Sequence, residues 1–227
     1  MNLALIGYGK MGHAIEALAP SRGHKIVCTI DNPEEWETKA DILKKCDVAI
    51  EFTTPATAAD NLRRCLEMGI AVVCGTTGWY GDFDEVASLC SKRGGALFTA
   101  TNFSIGMNIM FALNERLAKL MRGREDYKVS ISETHHIHKL DAQSGTAITL
   151  QEQIVASGER KAESIPIASF REGEVPGTHT VVYDSEIDTI TLTHEAHSRK
   201  GLALGALLAA EFLATADAGI YTMKDIL

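Results

Sequence analysis

Leu3-Ala4-Leu5-Ile6-Gly7-Tyr8-Gly9-Lys10-Met11-Gly12 decides the fold: an apolar run enters a G-x-G-x-x-G turn, and helical periodicity follows from Lys10 to Ala19. Between a strand and a helix this spacing has a physical meaning. Gly7 permits the tight turn, Gly9 lets the backbone approach a pyrophosphate, and Gly12 allows close packing of helix on strand. Asp31 closes the next apolar run, 19 residues beyond Gly12, where a carboxylate accepts hydrogen bonds from adenosine ribose hydroxyls. The stretch therefore reads as a dinucleotide pocket, with an ordinary strand, turn and helix as the competing reading. Asp31 repels a ribose phosphate and Asn32-Pro33 adds no cation, whereas Lys10 is able to pair with that phosphate. NADH is favoured and NADPH stays open.

Working outward, the first hundred residues alternate strands near 2–6, 25–30, 47–52, 70–74 and 95–100 with helices near 10–19, 38–45, 55–68 and 82–93. That rhythm predicts a parallel sheet with right-handed crossovers. Pro55 stands where a helix starts and Gly69 where it stops. Phe52-Thr53 and Gly75-Thr76-Thr77-Gly78 fall at the carboxyl ends of the third and fourth strands, where nicotinamide and ribose groups rest in open α/β sheets; a plain turn is the alternative for the glycines.

After Asn102 the pattern changes to a long helix near 105–121, strands near 127–134, 164–170, 178–184 and 187–195, and a helix near 146–157. The expected class is α/β: a Rossmann-type parallel-sheet dinucleotide domain plus a smaller α+β substrate domain with an open mixed sheet. The apolar helix expected over 201–219 returns to the first domain, so the boundaries are 1–103 with 200–227, and 104–199. Four strands in a small domain leave a face to cover, which predicts an oligomer.

Of the 227 residues 45% are hydrophobic, enough for a substantial core. No apolar run approaches the roughly 20 residues of a bilayer crossing, and no secretory signal is recognisable, so a soluble cytoplasmic protein without a membrane partner is expected. The five cysteines, all within the first 90 residues and without a C-x-x-C pair, read as reduced core thiols. The formal charge, 22 − 30 = −8, argues against a nucleic-acid partner. An acidic ligand then requires local cations, and 135–139 and 199–200 supply them.

The run ETHHIHKLDAQSGTA at 133–147 is the second site. His135, His136 and Lys139 precede Ser144, Gly145 and Thr146, whose hydroxyl and N–H donors open a helix, and anions settle where such donors meet the positive end of a helix dipole. An exposed polar loop and a zinc site compete with this reading; zinc recruits more N, S or carboxylate ligands, and Lys139 repels a cation, so no metal is expected. His194 and His197 are spaced one residue too closely for H-E-x-x-H.

HHIHKLDAQSGTA at 135–147, GYGKMG at 7–12, GTTG at 75–78, NFSIGMN at 102–108 and HEAHSRKG at 194–201 resemble the dihydrodipicolinate reductases across essentially the whole chain. The resemblance implies NAD(P)H-dependent reduction of 4-hydroxy-tetrahydrodipicolinate in the diaminopimelate route to lysine, by a homotetramer joined through substrate-domain sheets. It implies His135 as proton donor and Lys139 as second catalytic residue, with His136, Lys139, Ser144, Gly145 and Thr146 holding carboxylates. Cofactor contacts are implied for Gly7, Gly9, Lys10, Met11, Gly12, Asp31, Phe52, Thr53, Gly75 and Thr77, with Asn102 and Phe103 at the joint between domains and Arg199 near the hinge.

Hydride delivered to carbon four of the ring leaves electron density that a neighbouring proton must quench, and histidine donates one near neutral pH. His136 and Lys139 discourage protonation of His135; a bound dianion reverses that field. Four features depart from the family pattern: Tyr8, Glu51, Gln143, and only 15 residues between Asp31 and Asp47, the segment that surrounds the adenosine. The competing functions are another two-domain dehydrogenase of amino-acid metabolism and a non-catalytic NADH-sensing protein.

Overall fold

The computed structural model describes residues 1–139, 143–157 and 160–227. Leu140, Asp141 and Ala142, which belong to the His-Lys-Ser motif, lie outside the described residues. In chain order the elements are β1 (Asn2–Ile6), α1 (Lys10–Leu18), β2 (Lys25–Ile30), α2 (Glu35–Thr38), α3 (Ala40–Leu43), β3 (Val48–Glu51), α4 (Pro55–Glu67), β4 (Ala71–Cys74), α5 (Phe83–Arg93) and β5 (Ala96–Thr99). They continue with α6 (Ile105–Leu120), β6 (Lys128–His135), α7 (Gly145–Ala156), β7 (Ile167–Arg171), β8 (Gly177–Asp184), β9 (Thr189–Ala196), α8 (Lys200–Leu213) and β10 (Gly219–Tyr221). Two compact units result, Met1–Ser104 with Lys200–Leu227, and Ile105–Arg199.

The first unit holds six parallel strands in the order β10-β5-β4-β3-β1-β2. Buried on both faces, these strands read as continuous apolar runs such as Leu3–Ile6 and Val48–Ile50. From β1 the chain steps to β2 on one side and then to β3 on the other. That reversal opens a crevice at the carboxyl ends of β1 and β3, where Gly7 and Phe52 follow the strands. Pro55 opens α4, and Gly69 (φ +72°) follows its end. Cys28, Cys65, Cys74 and Cys90 are buried free thiols and Cys46 is half-buried; burial pushes Cys46 up to about 11, which leaves it an unreactive thiol at neutral pH.

The apolar α8 lies in this unit, against α1, β3, β4 and β5. Gly205 makes the approach possible, because a Cβ there would fall 1.7 Å from the Phe103 carbonyl oxygen. On the surface Arg22 grips the Glu211 carboxylate with two bonds of 2.7 Å, and His24 Nε2 adds a third of 2.7 Å, joining the start of β2 to α8.

The second unit is a mixed sheet, β7-β6-β8-β9, in which β6 runs parallel to β7 and antiparallel to β8, and β8 antiparallel to β9. One face packs on α6 and α7 through Met107, Met110, Phe111, Leu150, Ile154, Ile131 and Val181. No helix among the described residues is long and apolar enough to cross a membrane.

Three expected elements differ. The helix expected over 38–45 is two single turns, α2 and α3, interrupted at Lys39 (φ −109°, ψ 7°), whose ammonium is drawn to Glu35 (2.6 Å) and the Thr29 carbonyl (2.8 Å). The helix expected over 201–219 stops at Leu213; Gly219–Tyr221 instead forms β10, with Gly219 N–H donating to the Gly95 carbonyl at 3.0 Å. The strand expected from 164 starts at Ile167, after a 3-10 turn at Ala162–Ser164 and Pro166, which has no N–H to give a ladder.

Candidate active site

Each unit carries its own set of candidate residues. In the first, Gly7 has φ +93°, donates its N–H to the Ile30 carbonyl (2.7 Å), and carries no Cβ because one would stand 2.1 Å from the Phe52 carbonyl oxygen. A Cβ on Gly12 would meet the Gly7 carbonyl oxygen at 2.7 Å, so this glycine serves helix-to-turn packing. Gly9 is different: nothing lies within 4 Å of the Cβ position, and the residue opens α1 at its exposed N-terminal end beside Lys10 and Met11. Open space at a helix N-terminus with no acid in its first turn suits a pyrophosphate.

Asp31 accepts the Tyr8 N–H at 2.8 Å through Oδ1. It lines a cavity of about 470 Å³, together with Gly7, Gly9, Phe52 and Thr53. The volume and the glycine cradle fit the adenosine and pyrophosphate of a dinucleotide. The Thr53 hydroxyl donates to Glu51 and accepts from Thr57 (3.0 Å) and Asn61 (3.2 Å), and its N–H donates to the Thr76 hydroxyl at 2.8 Å. Glu51 is wholly buried, accepting also from Cys74 Sγ at 3.2 Å. Gly75 makes room for the Phe52 ring, which a Cβ would reach at 2.1 Å.

Thr77 is exposed, whereas Phe103 is a core residue packed on Phe52 and Phe98, with ring centroids 5.7 and 6.0 Å away. Asn102 accepts the Ser104 N–H at 2.8 Å. The sequence reading missed Trp36 and Arg64, which line the same cavity. The stripe Thr57, Asp60, Asn61, Arg64 at helical spacing was the available signal.

In the second unit the alternation of β6 turns Val129, Ile131, Glu133 and His135 to the buried face, and β8 places His179, Val181 and Tyr183 there too. Glu133 Oε2 lies 3.6 Å from His135 Nδ1 and 3.7 Å from His179 Nε2, and the two imidazole centroids are 5.0 Å apart. The carboxylate accepts the Ser144 N–H at 3.0 and 3.1 Å and the Ser169 hydroxyl at 2.8 Å. Ser144 caps α7, its hydroxyl accepting from the Ala147 N–H and meeting His179 Nε2, both at 3.2 Å. Gly145 and Thr146 form the first turn of α7. Before them Gln143 takes φ +65°, uncommon for a residue with a side chain.

His136 meets Arg199, Nε2 to Nη2, at 3.0 Å, an arrangement in which the ring nitrogen accepts from the guanidinium. The Lys139 backbone is anchored, its N–H donating to the His136 carbonyl (3.1 Å) and its carbonyl accepting from Arg171 Nε (3.2 Å). His135 and Ser144 are thus brought into one cluster with Glu133 and His179, which the sequence reading missed; His136 is paired outside it. Glu133, His135 and His179 bring potential metal-ligand atoms within 4.8 Å of one another, and the same carboxylate accepts from the Ser144 N–H and the Ser169 hydroxyl.

Burial alone raises the Glu133 carboxyl, but the hydrogen bonds from Ser144 and Ser169 and the neighbouring His135 outweigh it and hold it below its ordinary range. Burial, then the charge of His135, pushes His179 down to about 4. Both folded-state values are depressed, so their stabilisation is complete above the unfolded values and is lost as pH falls through the folded ones. For His179 the window runs from pH 6.5 down to about 4. Between pH 7 and 5 the unfolding free energy is expected to drop by about 2 kcal/mol through this group. Urea titrations of the parent and of His179→Asn check this: the variant loses that slope, and equal slopes would remove His179 as its source.

Residues 1–103 match the family model described as dihydrodipicolinate reductase, N-terminus, and residues 106–227 match dihydrodipicolinate reductase, C-terminus. The 4-hydroxy-tetrahydrodipicolinate reductase of Christiangramia forsetii is 48% identical over 236 residues, covering 100% of this chain and 98% of the relative. That of Nitrosomonas eutropha is 33% identical over 265 residues, with 100% and 98% covered. Among solved structures, the dipicolinate-bound dihydrodipicolinate reductase from Paenisporosarcina sp. TG-14 shares the fold at a TM-score of 0.82 and 22% identity, covering 100% of this chain and 99% of that one.

Proposed function

The chain belongs to the dihydrodipicolinate reductase family, NAD(P)H-dependent oxidoreductases of diaminopimelate and lysine biosynthesis, and on that premise we propose that it reduces 4-hydroxy-tetrahydrodipicolinate to tetrahydrodipicolinate with His135 as proton donor. The observation that carries this reading is the placement of His135. It ends β6 beside a buried carboxylate, and α7 begins at the same cluster, so a proton source and an anion-holding helix N-terminus are built together.

Reduced nicotinamide, when bound, would supply a hydride to ring carbon four once the 4-hydroxyl has left as water, and His135 gives the single proton that the net reaction consumes. Gly9, Lys10, Met11 and Asp31 would hold its adenosine and pyrophosphate, with Gly7 and Gly12 shaping the turn, and Phe52, Thr53, Gly75, Thr77, Asn102 and Phe103 would form or support the remaining surface. NADH is the favoured cofactor, because Asp31 faces a ribose with its charge and is oriented by Tyr8 N–H.

Glu133 on the Nδ1 side of His135 favours the imidazolium and opposes the effect of His136 and Lys139. Gly177 keeps the other edge uncrowded: a Cβ there would stand 3.2 Å from Nε2, the nitrogen from which the proton leaves. Lys139 and His136 meet the substrate carboxylates as cation and hydrogen-bond donor, with the Gly145 and Thr146 N–H groups at the start of α7. With Nε2 accepting from Arg199, His136 keeps its Nδ1–H as the donor. Ser144 already gives its N–H to Glu133, so its own share in carboxylate binding requires a change of partner. That a relative of this fold binds dipicolinate, a planar ring diacid, agrees with such a pocket.

The outward face of the β7-β6-β8-β9 sheet, with Ser132, Thr180 and Thr193 in register and Phe170 exposed, supports a homotetramer joined through these sheets. Free, largely buried thiols fit a cytoplasmic enzyme. The activity is tested by coupling the purified protein to dihydrodipicolinate synthase with pyruvate and aspartate semialdehyde and following the absorbance of each reduced nicotinamide. Oxidation that requires the complete mixture is expected. None with either nucleotide, from folded protein, would leave a nucleotide-sensing role or another substrate.

A further inference from the structure

On the reading that the cavity at the ends of β1 and β3 takes the adenosine half of the cofactor, we propose that Arg64 is the specificity-determining residue that admits a ribose 2′-phosphate, giving this enzyme use of NADPH beside NADH. Along α4, Thr57, Asp60, Asn61 and Arg64 recur at helical spacing and line the cavity that Asp31 and Trp36 also line. Arg64 is the cation that lines this cavity among the described residues, and Arg63 and Lys39, near its wall in the chain, are already committed. Arg63 is tied to Asp60 (2.6 Å), Asp82 (3.3 Å) and Glu85 (3.1 Å), and Lys39 to Glu35 (2.6 Å). Asp60 is met by Arg63. Arg64 has no ion-pair partner among the described residues; its guanidinium carbon sits 5.4 Å from the centroid of the Trp36 ring.

This arrangement suits a phosphate. Trp36 is 7% exposed, a fixed platform in the shortened 32–46 segment, and it holds the guanidinium by its π face. A guanidinium held over a ring face keeps its N–H fork available for phosphate oxygens. Asp31 opposes a 2′-phosphate and receives ribose hydroxyls; Arg64 supplies a compensating charge in the same cavity. A phosphate carrying close to two negative charges at neutral pH gains from Arg64, and an unphosphorylated ribose gains little.

Calorimetric titration of the parent protein, Arg64→Gln and Arg64→Lys with NADPH and with NADH tests this without relying on turnover. Arg64 is exposed, and its replacement leaves the core intact. The expected result is about a tenfold rise in Kd for NADPH in Arg64→Gln with less than a twofold change for NADH, and an intermediate rise in Arg64→Lys, which keeps the charge and loses the fork. Equal losses for both nucleotides would assign Arg64 to the adenine face and overturn the proposal, as would no change for either. Binding of neither nucleotide by the parent would instead bring down the cofactor reading on which the proposal rests.

Discussion

His135→Gln is expected to lower kcat by a factor of about 100 to 10,000, the range that general acid catalysis contributes, while the KM for reduced nicotinamide stays within about twofold. Glutamine keeps a polar side chain of similar reach but holds no transferable proton. The parent loses kcat/KM as pH rises through the ionisation of its acid, and the variant loses that limb. His179 does not take over, because its burial holds its pKa at about 4 and keeps it neutral. The measurement is a pH profile of kcat and kcat/KM for parent and variant. A variant with parental kcat, or with an unchanged profile, would remove His135 from the role of proton donor.

Gly9→Val is expected to raise the Kd for both NADH and NADPH about a hundredfold while leaving the melting temperature within a few degrees. The two halves of that expectation come from one observation: nothing in the protein lies within 4 Å of the missing Cβ, so the valine costs the fold little, and the space it fills is where the pyrophosphate comes against the N-terminus of α1. Gly7 makes a poorer test, since φ +93° and the Phe52 carbonyl at 2.1 Å would disturb the turn itself. Thermal melts and nucleotide titration of Gly9→Val give the answer. Parental affinity in a folded variant would place the pyrophosphate elsewhere.

Much of the fold was legible because the first unit is built from long-lived local rules. Buried parallel strands are continuous apolar runs, and Gly7, Gly12, Pro55 and Gly69 sit where backbone geometry demands them. β10 was not legible: three residues, Gly-Ile-Tyr, carry no periodicity, and only pairing with β5 makes them a strand. The single turns α2 and α3 are likewise too short to announce themselves, and their interruption depends on where Lys39 finds partners.

The site was legible where it depends on runs of neighbouring residues, as in 7–12 and 133–147, and illegible where it depends on side chains meeting across elements. Glu133 and His179 stand at inward positions of alternating strands, a signal that polar residues were entering a core, but only the β6-β8 pairing makes them neighbours of each other and of Ser144. Register and capping decided those partners. Arg64 and Trp36 are 28 residues apart and meet because α2 and α4 border one cavity.

The most direct measurement of the proposed chemistry uses NADH deuterated at the transferable position of the nicotinamide in the coupled reaction, with the product read by NMR. The expected result is one deuterium at ring carbon four of tetrahydrodipicolinate for each nucleotide oxidised. Nucleotide oxidation with no deuterium in the ring, or deuterium at another carbon, would contradict it.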